Sequence, residues 1–385
     1  MRTLEWDYTT DELKMIDQRR LPGELVIVSL CTCQEVAEAI RNMTVRGAPA
    51  IGAAAAFGLA LAARESKAPD AAGLLSDLET AAKYLKASRP TAGNLAWAVE
   101  RVMRVLREAW SVEGGADVVR TAILAEAQRI ADEDVKINKR MAAHGAVLID
   151  DGDTIIHHCN TGALATVDWG TALGVIRMAY EQGKRVHVLV DETRPRLQGA
   201  RLTAWELEQY GIPYEIICDN MVGHFLRTGQ VQKVFFGADR VAANGDVANK
   251  IGTYMLALAA HDNSVPVYSV APTSTIDLSL ADGSLIPIEE RDADEVLGIQ
   301  FKGERVAPVN AKARNPAFDV TPNRLITAIV TENGIVYPPF EVNLARVIKN
   351  KYLCRCEPQP CLPWRARPGS GAQRSRRGRR SNPRA

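Results

Sequence analysis

Three short apolar runs separated by turns open the chain, at residues 4–8, 13–17 and, after Pro22-Gly23, 25–30. Runs of this length with turn residues between them predict a small antiparallel meander. Residues 31–41 then place Val36, Ala37 and Ile40 on one helical face. Residues 42–52 lead into a helix of small residues reaching about Arg64, with Pro49 suited to its first turn. Helical periodicity holds almost throughout 70–140, broken at residues 88–93 and at Gly114-Gly115. Within it, 128–141 reads as a connecting helix closed by His144-Gly145, which puts a domain boundary near residue 130.

Beyond that boundary the period changes. Apolar runs at 154–158, 186–190, 214–218, 233–236 and 266–270 alternate with helix-length segments, and a last run at 325–330 leads to Val336-Tyr337-Pro338-Pro339. About six βα units of this kind predict a mostly parallel, doubly wound sheet. The expected fold is α/β: residues 1–130 form a small, mostly helical domain with the meander, 131–348 a Rossmann-like domain, and 349–385 a basic tail.

Composition changes the picture in three places. At 385 residues, 46% hydrophobic and 24% charged, the chain has the make-up of an ordinary globular protein. Its longest apolar stretch, 48–63, falls short of the roughly 20 residues of a membrane helix and carries two glycines and a proline. The first residues lack a basic-then-apolar leader, which predicts a cytoplasmic protein. Seven cysteines occur, an odd number, without the repeated C-x-x-C spacing of a structural zinc site, so neither a metal nor a disulfide framework is expected. The net charge of +1 hides an asymmetry. From Lys351 onward there are ten Lys or Arg and one acid, Glu357, leaving 37 bases against 45 acids in the body. An acidic body argues against nucleic acid as its partner. The tail, with Cys354, Cys356, Cys361, Trp364 and the arginine run 374–380, is expected to be disordered.

The first strand of the second domain ends in His158-Cys159-Asn160-Thr161-Gly162-Ala163-Leu164. This is not G-x-G-x-x-G, so a dinucleotide is disfavoured even though Asp191 ends the next strand as a ribose-binding acid would. Polar residues bunch at several strand ends: Cys159-Asn160-Thr161-Gly162, 191–199, Asp219-Asn220 and Gly237-Ala238-Asp239-Arg240, with Asn249-Lys250-Ile251-Gly252-Thr253 read as opening the next helix. Parallel strands put these loops on one edge of the sheet. Cys159 is then either a small buried hydrophobe or a thiol whose pKa a following helix N-terminus lowers. Asp239 is a turn former, or an acid beside apolar walls with a pKa raised for proton donation. Arg46-Gly47-Ala48 before Pro49 is a plausible anion site at a helix start, or a close-packing point. Arg89 and Lys250 read on their own as solvated surface cations. His157 and His158 receive no role.

Taken together, residues 45–52, 158–166, 191–203, 237–240 and 249–253 resemble the methylthioribose-1-phosphate isomerase family. That family shares its fold with regulatory subunits of a translation-initiation guanine-nucleotide exchange factor. The resemblance covers residues 1 to about 348 and implies conversion of 5-methylthioribose 1-phosphate to 5-methylthioribulose 1-phosphate in methionine salvage. It implies Asp239 as proton donor and Cys159 as its acid/base or stabilising partner. Arg46, Gly47, Ala48, Arg89, Gln198, Asn249 and Lys250 are then substrate-binding. No cofactor and no metal are implied, and a homodimer is. Two other readings compete: an isomerase of ribose 1,5-bisphosphate, and a non-catalytic subunit that senses a sugar phosphate or nucleotide.

Overall fold

The opening apolar runs form the expected meander: β1 (Leu4–Asp7), β2 (Glu12–Ile16) and β3 (Ile27–Leu30) pair antiparallel in that order. The structure, a computed structural model, describes residues 2–90, 92–110 and 115–349. The expectations for the cysteine- and arginine-bearing tail lie outside the described residues, apart from Lys349, which ends the last helix.

Five helices follow. In α1 (Cys33–Arg41), Thr32 caps the N-terminus by accepting from the Glu35 N–H while the Glu35 side chain returns to the Thr32 backbone. Then come α2 (Ala48–Glu65), α3 (Ala71–Ser88), α4 (Gly93–Trp110) and α5 (Gly115–Ala146). Alanine and glycine let α2 run buried along nearly its whole length, in a core that gathers side chains from Leu4 to Ala131. The helix read at 128–141 is part of α5, one unbroken element of 32 residues. Its first half packs in this core, and Met141 and Ala146 pack on the sheet beyond.

The sheet is built from β4 (Asp153–His157), α6 (Ala172–Glu181), β5 (Val186–Asp191), α7 (Ala204–Tyr210), β6 (Tyr214–Ile217), α8 (Val222–Arg227) and β7 (Lys233–Phe236). The chain then forms a hairpin, β8 (Arg240–Ala242) and β9 (Val247–Lys250), followed by α9 (Thr253–Asp262), β10 (Val267–Val270), β11 (Ile276–Asp277), the short α10 (Asp294–Leu297), and a small ribbon of β12 (Gln300–Phe301) with β13 (Glu304–Arg305). It ends with β14 (Phe318–Thr321), β15 (Ala328–Thr331), β16 (Gly334–Val336) and α11 (Phe340–Lys349). Seven strands run in the order β16-β15-β10-β7-β4-β5-β6, parallel except for β16. Successive residues feed opposite faces, as the strand period requires. Ile155, Val188, Phe235 and Val330 join the core under α5 and α6, whereas Ile156, Leu189, Phe236 and Ile329 join the one under α8, α9 and α11. The fold is therefore the expected one, a helical N-terminal region and a mostly parallel, doubly wound sheet.

Two local expectations are corrected. No helix starts right after Cys159: a short turn, Ala163–Ala165, intervenes, and α6 begins at Ala172. Gly162 bridges to Gly170, where a Cβ would stand 2.3 Å from the Gly162 Cα, so close backbone contact accompanies a single 3-10 turn instead of an α-helix. Asn249 and Lys250 do not open a helix either. They end β9 in a second, four-stranded sheet ordered β11-β8-β9-β14. Its hairpin turns at Asn244-Gly245, with Gly245 at φ +89°, and pairs Val241 with Val247. Asn-Gly between apolar residues is a strong hairpin signal, and here it outweighs the helical reading.

Candidate active site

Neighbouring strands β4 and β7 lead the chain in opposite directions, β4 toward β5 and β6, β7 toward β10 and β15. The carboxyl edge at such a reversal leaves a crevice. A cavity of about 590 Å³ opens there, with Cys159 following β4 and Gly237-Ala238-Asp239 following β7. It is lined by every residue that the family resemblance implies for the site: Arg46, Gly47, Ala48, Arg89, Cys159, Gln198, Asp239, Asn249 and Lys250.

Cys159 sits at φ +69°, in the left-handed region that a non-glycine residue enters only when held there. Two buried threonines hold it. Its N–H donates to Thr193 Oγ1 at 2.9 Å, and its carbonyl accepts from Thr203 Oγ1 at 2.7 Å. Gln198 Nε2 lies 3.7 Å from the sulfur, while its Oε1 is buried without a partner in the protein. The helix-dipole argument for an acidified thiol does not hold, because the helix is absent. Burial pushes the Cys159 pKa up, against the pull of Arg46 and Lys250.

The hairpin holds Asp239 beside the strand that carries Asn249: the Asp239 N–H donates to the Ala248 carbonyl at 2.9 Å, and Arg240 pairs with Ala248. The Asp239 side chain is open to the cavity yet enclosed by protein beyond it. That enclosure raises its pKa, and Lys250, Arg89, Arg46 and Arg291 act in the opposite direction. Lys250 is buried, with Nζ donating to the Ala317 carbonyl at 2.8 Å and lying 4.3 Å from the Phe318 ring centroid. Burial lowers its pKa. Asn249 is tied to Thr253 Oγ1 at 3.0 Å. Arg89 follows the last residue of α3, and its loop lies close to the hairpin: a Cβ on Gly93 would stand 2.2 Å from the Arg240 guanidinium.

His158, left without a role by the sequence, links these two groups. Nδ1 meets Asp191 Oδ2 at 2.7 Å and Nε2 meets the Ile251 carbonyl at 2.9 Å, joining the residue before Cys159 to the residue after Lys250. Burial opposes charge on this ring, but Asp191 outweighs it and raises the His158 pKa. The Asp191 carboxyl is itself pushed up to about 6 by burial, with His158 opposing. Asp191 thus serves an internal pair, not a ribose. Among the described residues, His158, Asp191 and Asp219 also form a set of close candidate metal ligands. Both ring nitrogens are engaged, however, and the Asp219 oxygens accept from the N–H groups of Thr193 and Arg194. The set reads as a hydrogen-bonded cross-link.

At the other wall, Gly47 precedes α2 at φ +93°, with Pro49 in the first turn as expected. A Cβ on Gly47 would stand 2.3 Å from the Ala165 carbonyl oxygen, backbone against backbone. Gly47→Ala is therefore expected to destabilise the protein by about 3 kcal/mol, read as a lower denaturant midpoint in urea. A variant of wild-type stability would show that this wall gives way. Asn160, Arg196 and Arg291 also line the cavity. Asn160 and Arg196 stood inside the quoted motifs without a role. Arg291 lies in an aperiodic segment that offered no signal.

The sequence profile of the Initiation factor 2 subunit family matches residues 44–338. The chain belongs to that family. It is 52% identical over 343 residues to the methylthioribose-1-phosphate isomerase of Synechococcus sp., covering 89% of this chain and 97% of the relative. Among solved members, the 5-methylthioribose 1-phosphate isomerase of Pyrococcus horikoshii superposes with a TM-score of 0.85 at 47% identity, covering 90% of this chain and 96% of the other. A translation initiation factor eIF-2B delta subunit from A. fulgidus superposes at 0.81 with 45% identity, over 91% and 99%. Family membership alone thus embraces proteins named for catalysis and for translation initiation.

Proposed function

We propose that the chain is an aldose–ketose isomerase that converts 5-methylthio-α-D-ribose 1-phosphate to 5-methylthio-D-ribulose 1-phosphate in methionine salvage. What carries the reading is 52% identity to a methylthioribose-1-phosphate isomerase over nearly the full length of that enzyme. The cavity supports it, because it combines a cationic set (Arg46, Arg89, Lys250) with apolar side chains (Met43, Leu280, Ile286, Ile288). A phosphate needs the first and a methylthio group the second.

In this reading Arg46, Gly47, Ala48, Arg89, Gln198, Asn249 and Lys250 hold the substrate. The unpartnered Gln198 oxygen is suited to a sugar hydroxyl. Because C1 carries the phosphate, the ring opens only when its oxygen takes up a proton as the C1–O bond breaks. Asp239 gives that proton. The ketone forms when the C2 hydroxyl loses its proton, which restores the acid, while hydrogen passes from C2 to C1 beside Cys159. Protons taken and returned balance, so the net reaction is an isomerisation.

The test is direct: purified protein is mixed with 5-methylthioribose 1-phosphate and the ketose followed by NMR. Turnover is expected, with a kcat/KM for ribose 1,5-bisphosphate lower by about tenfold or more, since its second phosphate would meet the apolar lining. The opposite preference would assign the enzyme to the bisphosphate. No turnover of either by folded protein would favour a sugar-phosphate-sensing subunit. The same reading carries a cytoplasmic homodimer. Among the described residues no helix is long and apolar enough to cross a membrane. Exposed Tyr254, Met255 and Leu258 on α9 offer an apolar face to a second copy. Light scattering on the eluting protein is expected to give twice the chain mass, and a monomer would remove the dimer from the reading.

A further inference from the structure

Glu206 lies in α7, fully buried, and does not line the cavity. Its neighbours are all donors: Asn160 Nδ2 at 2.8 Å, Tyr210 OH at 3.4 Å and the backbone N–H groups of Ala163 and Leu164. Burial raises the Glu206 pKa, and Asn160, the Arg46 charge and the two backbone donors act against it. With donors on every side, the accepting carboxylate is the form that the geometry matches. The free amides of the Ala163–Ala165 turn are thus taken by an internal anion and are not open to a ligand. Gly162 makes the room, because a Cβ there would stand 2.3 Å from a Glu206 carboxylate oxygen.

Asn160, itself buried, passes this constraint outward. Its Nδ2 is used by Glu206 and by Thr203 Oγ1 at 3.1 Å. A carboxylate can only accept, so the amide has one orientation, with Oδ1 turned toward Arg46. The Arg46 guanidinium bonds that oxygen through Nη2. It also bonds the Asn160 carbonyl at 3.3 and 3.4 Å, and Gln18 Oε1 through Nε at 3.2 Å. Gln18 is in turn fixed by Nε2 on the Leu164 carbonyl at 2.7 Å. Every clamp on Arg46 therefore leads back to the turn on which the Glu206 carboxylate sits.

We propose that Glu206 is a positioning residue: acting through Asn160, it fixes the face that the Arg46 guanidinium turns to the cavity, and so sets affinity for the substrate's phosphate. This rests on the reading of Arg46 as a phosphate anchor. A glutamine at 206 can donate as well as accept, so it no longer dictates which end of the Asn160 amide faces Arg46. Loss of the carboxylate also makes the cavity more positive at long range. That effect does not depend on the Arg46 side chain, whereas the positioning effect does.

The experiment is steady-state kinetics with 5-methylthioribose 1-phosphate on Glu206→Gln, Asn160→Ala, Arg46→Ala and the doubles that combine Arg46→Ala with each of the others. KM is expected to rise about tenfold in Glu206→Gln and in Asn160→Ala, with kcat within about twofold of wild type. Neither change should raise KM further on the Arg46→Ala background. A KM increase that persists without the Arg46 side chain, or a wild-type KM in Glu206→Gln, would overturn the proposal and leave the anchor reading standing. A wild-type KM in Arg46→Ala would overturn the anchor reading, and this proposal with it. Should Glu206→Gln fail to fold, Asn160→Ala, which leaves Glu206 its backbone donors, decides on the same criteria.

Discussion

Asp239→Asn is expected to lower kcat about a thousandfold while KM stays within a few-fold and the melting temperature does not fall. Asparagine keeps the shape and the neutral state of the protonated acid but has no proton to give to a ring oxygen. The loss should therefore appear in turnover. The stability half of the expectation follows from the sign of the pKa shift. Enclosure raises the Asp239 pKa above that of an exposed carboxyl, and Lys250, Arg89, Arg46 and Arg291 only partly offset it. From about pH 4 upward to that raised value, the folded protein keeps a proton that the unfolded chain has released, so this group's contribution to stability declines as pH rises. Asparagine escapes that decline. The same sign sets the rate profile: kcat/KM of the native enzyme should fall as pH rises through the Asp239 pKa, because the protonated form is the donor. Near-normal turnover by Asp239→Asn in an NMR assay would remove the residue from this role. A marked drop in melting temperature would show that the surrounding cations need its charge.

Much of the scaffold was legible because it follows from period. The alternation that sends Ile155 to one core and Ile156 to the other is written in the chain as adjacent apolar residues, and runs of this kind between helix-length segments set the sheet, its parallel sense and the edge where Cys159 and Asp239 fall. Where local backbone contact decides, periodicity was silent or misleading. The segment after Cys159 has helix-compatible residues, yet the Gly162–Gly170 bridge and a single 3-10 turn stand there instead of an α-helix. Asn249 and Lys250 reach the cavity through a hairpin whose Asn244-Gly245 turn was a readable signal. Arg89 and Lys250 are ordinary surface cations by pattern, and only the family resemblance raised them. Arg291 comes from a stretch without period, where placement is purely tertiary. Glu206 is the hardest case. In Ala204-Trp205-Glu206-Leu207 it reads as the polar side of a short helix, and only the folded chain shows it buried against Asn160. Single buried charges are compensated by partners distant in sequence, and no local rule names those partners.

Cys159→Ser should lower kcat by two to three orders of magnitude, about 3–4 kcal/mol in the barrier, with substrate still bound. The isosteric change keeps the Thr193 and Thr203 bonds, since both engage the backbone of residue 159 and not its side chain. Arg46 and Lys250 bond to neither atom of the replaced thiol, and Gln198, whose Nε2 faces it, keeps its Oε1 for the substrate, so a rise in KM is not expected. The chemistry is what changes. A serine hydroxyl is far less polarisable than a thiol and holds its proton much more tightly, so it is a poorer partner whether hydrogen leaves C2 as a proton or passes directly to C1. Burial keeps the native thiol protonated, with Arg46 and Lys250 pulling the other way. Alkylation of Cys159 by iodoacetamide at neutral pH should accordingly be slow, and slower still with substrate in the cavity. Fast alkylation unaffected by substrate would mean that the thiol is neither enclosed nor at the reacting carbon. If Cys159→Ser turned over normally, Cys159 would have no part in moving hydrogen from C2 to C1, and the left-handed backbone at residue 159 would be left as a packing feature alone.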